Sequence, residues 1–351
     1  MHTKKLFEIH PVDIETYQQR ILNYLPSKIV DIHTHVYLND SIDNNVAGNS
    51  RLVSWTTKVA HQNPIEDLFE TYRLMFPDKT VIPLMFGSPR YADDIDAVNN
   101  YINDHSQEDK AYGLILSKPE WSAALFEEKL LSGDFKGAKV YLNFAPSYIP
   151  RNEIRIFDFL PHAHLAILNK YKKIVMMHIP RDSRLKDPVN LAQIIEIEEK
   201  YPDIKLIIAH VGRAYNREDV GDAFEVLSTT KKILFDFSAN TNEWVFTQLI
   251  KAVGPKRILF GSDLPITRMR MKRITEKGTY INIVPPGLYG DVSNDPHMRE
   301  AKAEEVDKLT FFLYEEILAF KLASISSQLN KNDIEDIFYN NGINLLKSID
   351  K

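Results

Sequence analysis

The chain has 351 residues, 44% hydrophobic and 26% charged, with 43 Lys and Arg against 48 Asp and Glu and no Cys. That is room for one large α/β barrel or two ordinary domains. A formal net charge of -5 leaves no electrostatic footprint for nucleic acid, and the lack of thiols excludes a disulfide scaffold, a thiolate-held zinc or iron–sulfur site and a Cys nucleophile. Residues 1–13 lack the apolar core of a secretory signal and no apolar run reaches the roughly 18 residues of a membrane span. A soluble, cytoplasmic protein that binds neither nucleic acid nor membrane is expected.

Residues 1–28 read as an N-terminal extension with a helix around 13–24. Residues 29–35 (IVDIHTH) follow as a first strand, then a helical stretch over 64–75. Residues 80–86 are a second strand, weakened by Pro83. The third to eighth strands fall at 111–116, 137–142, 173–178, 204–210, 233–238 and 257–263. Helical periodicity separates most of them, over 121–131, 156–171, 189–200, 220–228 and 243–253. Strands alternating with helices demand parallel crossovers, and strands this apolar are covered on both faces. The simplest closed solution is an α/β fold, a (β/α)8 TIM barrel, occupying residues 29–351 with its C-terminal helices. An open doubly wound sheet would carry a Gly-rich phosphate loop after a strand, and no GxGxxG or GxxxxGK[ST] is present. After the eighth strand, 264–298 reads as a long irregular loop over the barrel mouth. Residues 299–328 read as one long helix and 332–347 as a short helical close.

His33 and His35 are two apart in a strand, so their imidazoles share a face and offer half of a metal site. His178, His210 and Asp263 end the fifth, sixth and eighth strands. In a parallel barrel those ends converge on one pocket. Each alone could be a satisfied core group; five together point to chemistry. His162 and His164 also spell HxH, but two residues apart on a helix do not share a face, so packing roles are expected. No GxSxG elbow supports a serine hydrolase.

The segments DIHTH (31–35), VMMHIP (175–180), IIAHVG (207–212), LFGSDLP (259–265) and IEDIFYNNGINLL (334–346) resemble the amidohydrolase superfamily, in its amidohydrolase-related branch that includes decarboxylases. The resemblance implies that His33, His35, His178 and Asp263 hold one divalent ion, zinc above all, with His210 beside it as general acid/base. In two-metal members the His210 position ligates a second ion and a carboxylated lysine after the fourth strand bridges the pair. Lys139 is the candidate here; the preferred reading is a lysine that reaches toward substrate or an acidic neighbour. Three neutral imidazoles and a carboxylate leave such an ion net positive, which lowers the pKa of its water to about 7 in the best-known zinc case. Asp263 would align that water, and His210 would protonate a leaving group.

Arg181 and Arg213 each follow a strand-end histidine by three residues and could fork onto a substrate carboxylate. Arg268, Arg270, Lys272 and Arg273 form a basic run, expected as a solvated face or else as part of a lid over an anionic substrate. Trp55, Tyr91, Tyr280, Tyr289 and His297 are candidates for the rim, and Ser238 and Asn240 for the pocket lining. The expected function is metal-dependent hydrolysis of an amide, ester or lactone in a small, carboxylate-bearing substrate. Non-oxidative decarboxylation is the alternative, and a catalytically silent binding barrel a third reading. Assembly into a homo-oligomer is left open.

Overall fold

Eight short apolar strands, each flanked by turn residues and followed by a crossover, hydrogen-bond in sequence order. The computed structural model describes residues 6–38, 55–88 and 94–349. The strands are β1 (Lys28–His35), β2 (Thr80–Phe86), β3 (Tyr112–Leu116), β4 (Phe135–Val140), β5 (Ile174–Met177), β6 (Lys205–Ile208), β7 (Leu234–Asp236) and β8 (Ile258–Leu259). Every neighbouring pair is parallel. β8 is brief, yet the chain beyond it returns to β1: Ile32 N–H donates to the Phe260 carbonyl (2.9 Å), Asp263 N–H to that of His33 (2.7 Å) and His35 N–H to that of Leu264 (2.8 Å). These bonds close the sheet into the expected (β/α)8 barrel.

Alternation along the strands divides the core in two. Val30, Ile32, Leu84, Leu114, Met176 and Ile207 fill the barrel, and Ile343 and Leu346 of the terminal helix Asn341–Lys347 plug its N-terminal end. Phe235, Phe237 and Val175 face outward with the helix residues Phe246, Phe320 and Ile194. Pro83 does lie inside β2, opposite Asp31. His162 and His164 open the helix His162–Lys170. His164 is buried, stacked on Phe126 and bonded to the Trp121 carbonyl at 2.9 Å, a packing role.

The region after β8 differs from the expected loop and single helix. It holds a second sheet: β9 (Lys272–Glu276) and β10 (Thr279–Val284) pair antiparallel around Lys277–Gly278, both with φ > 0, and β11 (Met298–Glu300) pairs parallel with β10. Period-two alternation in KRITE and TYINIV and a turn needing positive φ carry that signal. The long helix begins only at Phe312 and runs to Ser326, after a short turn of helix at Ala303–Val306. The N-terminal segment is tied to the same region. Asp13 is fully buried and forms an ion pair with Arg270 (2.6 Å), while Thr310 Oγ1 donates to it at 2.7 Å. Arg268 and Arg270 are buried while Lys272 is exposed, so the basic run as a whole is not a solvated face. Among the described residues no helix is long and apolar enough to cross a membrane.

Candidate active site

β1 would not by itself aim its histidines inward together with Val30 and Ile32. Val30 and Ile32 occupy the barrel interior, so strict alternation would send His33 and His35 outward. The β1–β2 register slips between Asp31 and Thr34, where three steps on β1 match two on β2. This bulge reverses the phase. Asp31 faces the outer helices and takes the Tyr72 hydroxyl at 2.7 Å, whereas His33 lies with its ring centre 4.7 Å from that of His210 and 5.6 Å from that of His35. Gly261 serves the same place: a Cβ there would sit 2.7 Å from that of His33.

The ends of β6, β7 and β8 each turn through a left-handed residue. His210 (φ 55°), Ala239 (φ 51°) and Asp263 (φ 56°) adopt it, and His210 to Arg213 do so in succession. For non-glycine residues this costs of order 1–2 kcal/mol each. Each N–H is anchored: His210 to Asp236 Oδ1 (2.9 Å), Ala239 to Glu316 Oε2 (2.6 Å) and Asp263 to the His33 carbonyl (2.7 Å). The strain thus holds side chains over the mouth.

The donor atoms gather there. Nε2 of His35 lies 3.1 Å and Nε2 of His33 3.5 Å from Asp263 Oδ1, and ligand atoms of these three residues lie within 4.8 Å of one another. His33 Nδ1 faces Asp236 Oδ2 at 2.9 Å. An ionised Asp236 accepts the hydrogen bond from Nδ1–H, which leaves the Nε2 lone pair toward Asp263. Burial, then the Lys139 charge, pushes His33 down to about 3, so it is neutral. Burial alone would raise Asp263, but His210, the hydrogen bond with His35 and the nearby His33 bring it to about 2. Ionised carboxylate beside neutral imidazoles is the donor set that a divalent ion requires.

His178 and His210 stand on the same wall, ring centres 5.4 Å apart. Burial lowers both. His178 Nδ1 is buried with no hydrogen-bond partner among the described residues, an orphaned atom that fits a bound ligand. His178 lies outside the three-residue donor group. His210 Nδ1 contacts the Ser238 hydroxyl (2.9 Å) and carbonyl (3.2 Å), so Nε2 is left for the cavity. Ser238 Oγ in turn donates to Asp236 Oδ1 at 2.6 Å.

His33, His35, His178, His210 and Asp263 line a cavity of about 190 Å³, shared with Lys139, Tyr141, Arg151, Arg213, Tyr215 and Arg273 among others; Asp236 and Ser238 stand behind them. Lys139 points inward from β4, its Nζ 4.8 Å from the Phe86 ring centre and 5.0 Å from that of Tyr141. Burial lowers it to about 8. Trp55 and Tyr280 also line the cavity. Arg181 instead pairs with Asp187 (3.0 Å), the cap of the helix Pro188–Lys200, and is not part of the lining. His297 stacks on Tyr280 behind the wall, Tyr289 takes the Arg270 N–H, and Asn240 bonds the Ala214 carbonyl. Tyr91 lies outside the described residues.

Asp236, Tyr141 and Arg151 belong to the site without having stood out in the sequence. Asp236 had a legible signal: a lone carboxylate between Phe235 and Phe237 in an otherwise apolar strand.

A family model described as Amidohydrolase matches residues 30–346. None of the curated proteins matches the sequence. Among solved structures, amidohydrolase 2 from Bifidobacterium longum subsp. infantis is similar at 15% identity and a TM-score of 0.54, covering 93% of this chain and 100% of that one. A probable 2-pyrone-4,6-dicarboxylic acid hydrolase from Acinetobacter baumannii, with citric acid bound, matches at 14% identity and a TM-score of 0.55 over 91% and 99% of the two chains. Dihydroxybenzoic acid decarboxylase from Polaromonas sp. JS666, with manganese and the inhibitor 2-nitroresorcinol, gives 13%, 0.55, 92% and 97%. At such identities the likeness is one of fold.

Proposed function

The chain belongs to the amidohydrolase family, and on that premise we propose that it is a metal-dependent hydrolase of a small carboxylate-bearing amide, ester or lactone. The observation that carries the reading is the convergence of His33, His35 and Asp263 donor atoms within 4.8 Å at the mouth of the barrel. In this reading these residues and His178 hold one divalent ion, zinc by preference. When bound, the ion supplies Lewis acidity for a water and a carbonyl oxygen.

The remaining work falls to the chain. Asp236 keeps His33 in one tautomer through the 2.9 Å contact. Asp263 accepts a proton from the attacking water, whose oxygen bonds to the carbonyl carbon. His210, neutral at rest and anchored through Nδ1, receives that proton at Nε2 and passes it to the departing nitrogen or oxygen as the carbon–heteroatom bond breaks. Arg213 takes the substrate carboxylate. Lys139 acts as an amine that faces the substrate, between the Phe86 and Tyr141 rings, in preference to a carbamate bridging two ions.

Non-oxidative decarboxylation is the second reading. His210 favours it, since a neutral imidazole with one nitrogen toward the cavity serves equally in proton transfer to carbon. The test is a metal-dependent screen on the purified chain, with lactones followed by base uptake and carboxylated rings by carbon dioxide release. Base uptake that disappears on chelation and returns with zinc supports hydrolysis. Carbon dioxide release with the same metal dependence transfers the site to decarboxylation, and activity indifferent to chelation removes the metal from both.

A further inference from the structure

The cavity is cationic in an acidic protein. Lys139, Arg151, Arg213 and Arg273 line it, and among the described residues Asp263 is the one carboxylate that does so, although the whole chain carries a formal net charge of -5. Arg151 has a counter-charge in Asp182 at 3.3 Å. Arg213 and Arg273 form no ion pair among the described residues. Arg213 spends Nη1 on the carbonyls of Pro180 and Arg181, both at 3.1 Å. Arg273 gives Nε to Asn282 Oδ1 (2.8 Å) and Nη1 to the Ala239 carbonyl (2.7 Å). Nε and Nη2 of Arg213 and Nη2 of Arg273 meet no acceptor among the described residues. Glu316 turns instead to the Ala239 N–H.

Both guanidiniums are half-buried, and a cation held partly out of water without a carboxylate gains most from an arriving anion. Two such groups come from separate elements, Arg213 after β6 and Arg273 on β9 of the added sheet. Arg273 sits among flat rings that also line the cavity, 4.5 Å from the ring centre of Tyr280, 4.5 Å from that of Phe312 and 5.1 Å from that of Tyr215. We propose that the cavity selects a small, flat dicarboxylate, with one acid group on Arg213 and a second on Arg273, which makes Arg273 a specificity-determining residue supplied from outside the barrel. This rests on the reading of the cavity as the substrate site. Planar forks fit planar carboxylates bidentately, and two forks on different elements require two acid groups where a phosphate offers one.

The test titrates the metal-loaded full chain calorimetrically with isophthalate, benzoate and phenyl phosphate, with metal content and turnover measured alongside. Isophthalate is expected to bind at least about tenfold more tightly than benzoate, as one more charge-assisted contact implies, and more tightly than phenyl phosphate. Arg273→Gln should erase that advantage by weakening isophthalate more than benzoate. Arg273→Lys, which keeps the charge and the fold but not the fork, should reduce it. Arg299→Gln, on β11 of the same sheet and paired with Glu276, should leave it intact. Equal binding of isophthalate and benzoate, parity of phenyl phosphate with isophthalate, or an undiminished advantage in Arg273→Lys would each overturn the inference. Absence of the advantage in the unmutated chain, with metal and turnover intact, condemns this inference alone; absent metal and turnover with the advantage preserved condemns the hydrolytic reading alone.

Discussion

Asp236 Oδ2 lies 2.9 Å from His33 Nδ1, both side chains fully buried, and the other oxygen of the same carboxylate takes the His210 N–H and the Ser238 hydroxyl. One acid on β7 thereby sets the tautomer of a strand-one imidazole and the backbone of a strand-six turn. Removing it should loosen the metal centre without removing a donor. Asp236→Asn is expected to weaken zinc binding by about 10–100-fold, read by competition with a chromogenic chelator. Unchanged affinity in a folded variant would deny Asp236 that role.

Asp263 combines a donor oxygen with the contacts to His33 and His35. Asp263→Asn keeps the shape and removes the proton acceptor. Turnover should fall by about 10²–10⁴-fold, the usual reach of a positioned base, with circular dichroism unaltered. Retained kcat would place the base elsewhere.

Lys139 distinguishes an amine from a carbamate. If it is an amine facing the substrate, Lys139→Met should leave one equivalent of metal by elemental analysis and raise KM by about tenfold or more through loss of a charged contact. A fall from two equivalents to one in the variant, repaired by short carboxylic acids, would mean that a carbamate bridges two ions.

The N-terminal segment is anchored by the Asp13–Arg270 pair, side chains 0% and 6% exposed. Asp13→Ala strands a buried guanidinium and should cost about 3–5 kcal/mol in chemical denaturation. The double variant Asp13→Leu, Arg270→Met should recover most of it. A loss below about 1 kcal/mol, the level of a surface pair, would show that the pair does not hold the segment.

Glu316 gives the stability a pH dependence. Burial raises its carboxyl well above the ordinary 4.5, the Ala239 N–H pulls it back, and the fields of Asp236, Asp31 and Asp263 raise it further. A carboxyl that binds its proton more tightly when folded stabilises the fold at low pH. That contribution is lost as pH climbs from about 4.5 through the folded value. Glu316→Gln should therefore flatten the melting temperature against pH over that rise and gain most on the alkaline side. Parallel curves would mean that Glu316 is not shifted.

The barrel and most of its site residues were legible because both rest on local pattern: apolar strands at βα intervals, and histidines and an aspartate where strands end. The match is less direct than it reads. His33 and His35 face the interior because β1 bulges between Asp31 and Thr34, while Ile32 just before them faces inward too. Strict alternation places the two histidines together; it does not say on which side.

What the one-dimensional text determined is which polar side chains stand at the strand ends, four histidines and an aspartate in an acidic, thiol-free chain. Tertiary structure alone decided who serves whom. Arg181 and Arg213 occupy equivalent places after their histidines, yet Asp187 takes the first and the cavity keeps the second. Arg270 and Arg273 are three apart, yet one is paired with Asp13 and the other lines the cavity with no ion pair among the described residues. A charge is settled by whichever opposite charge or ligand reaches it in space, and those partners come from up to 257 positions away along the chain.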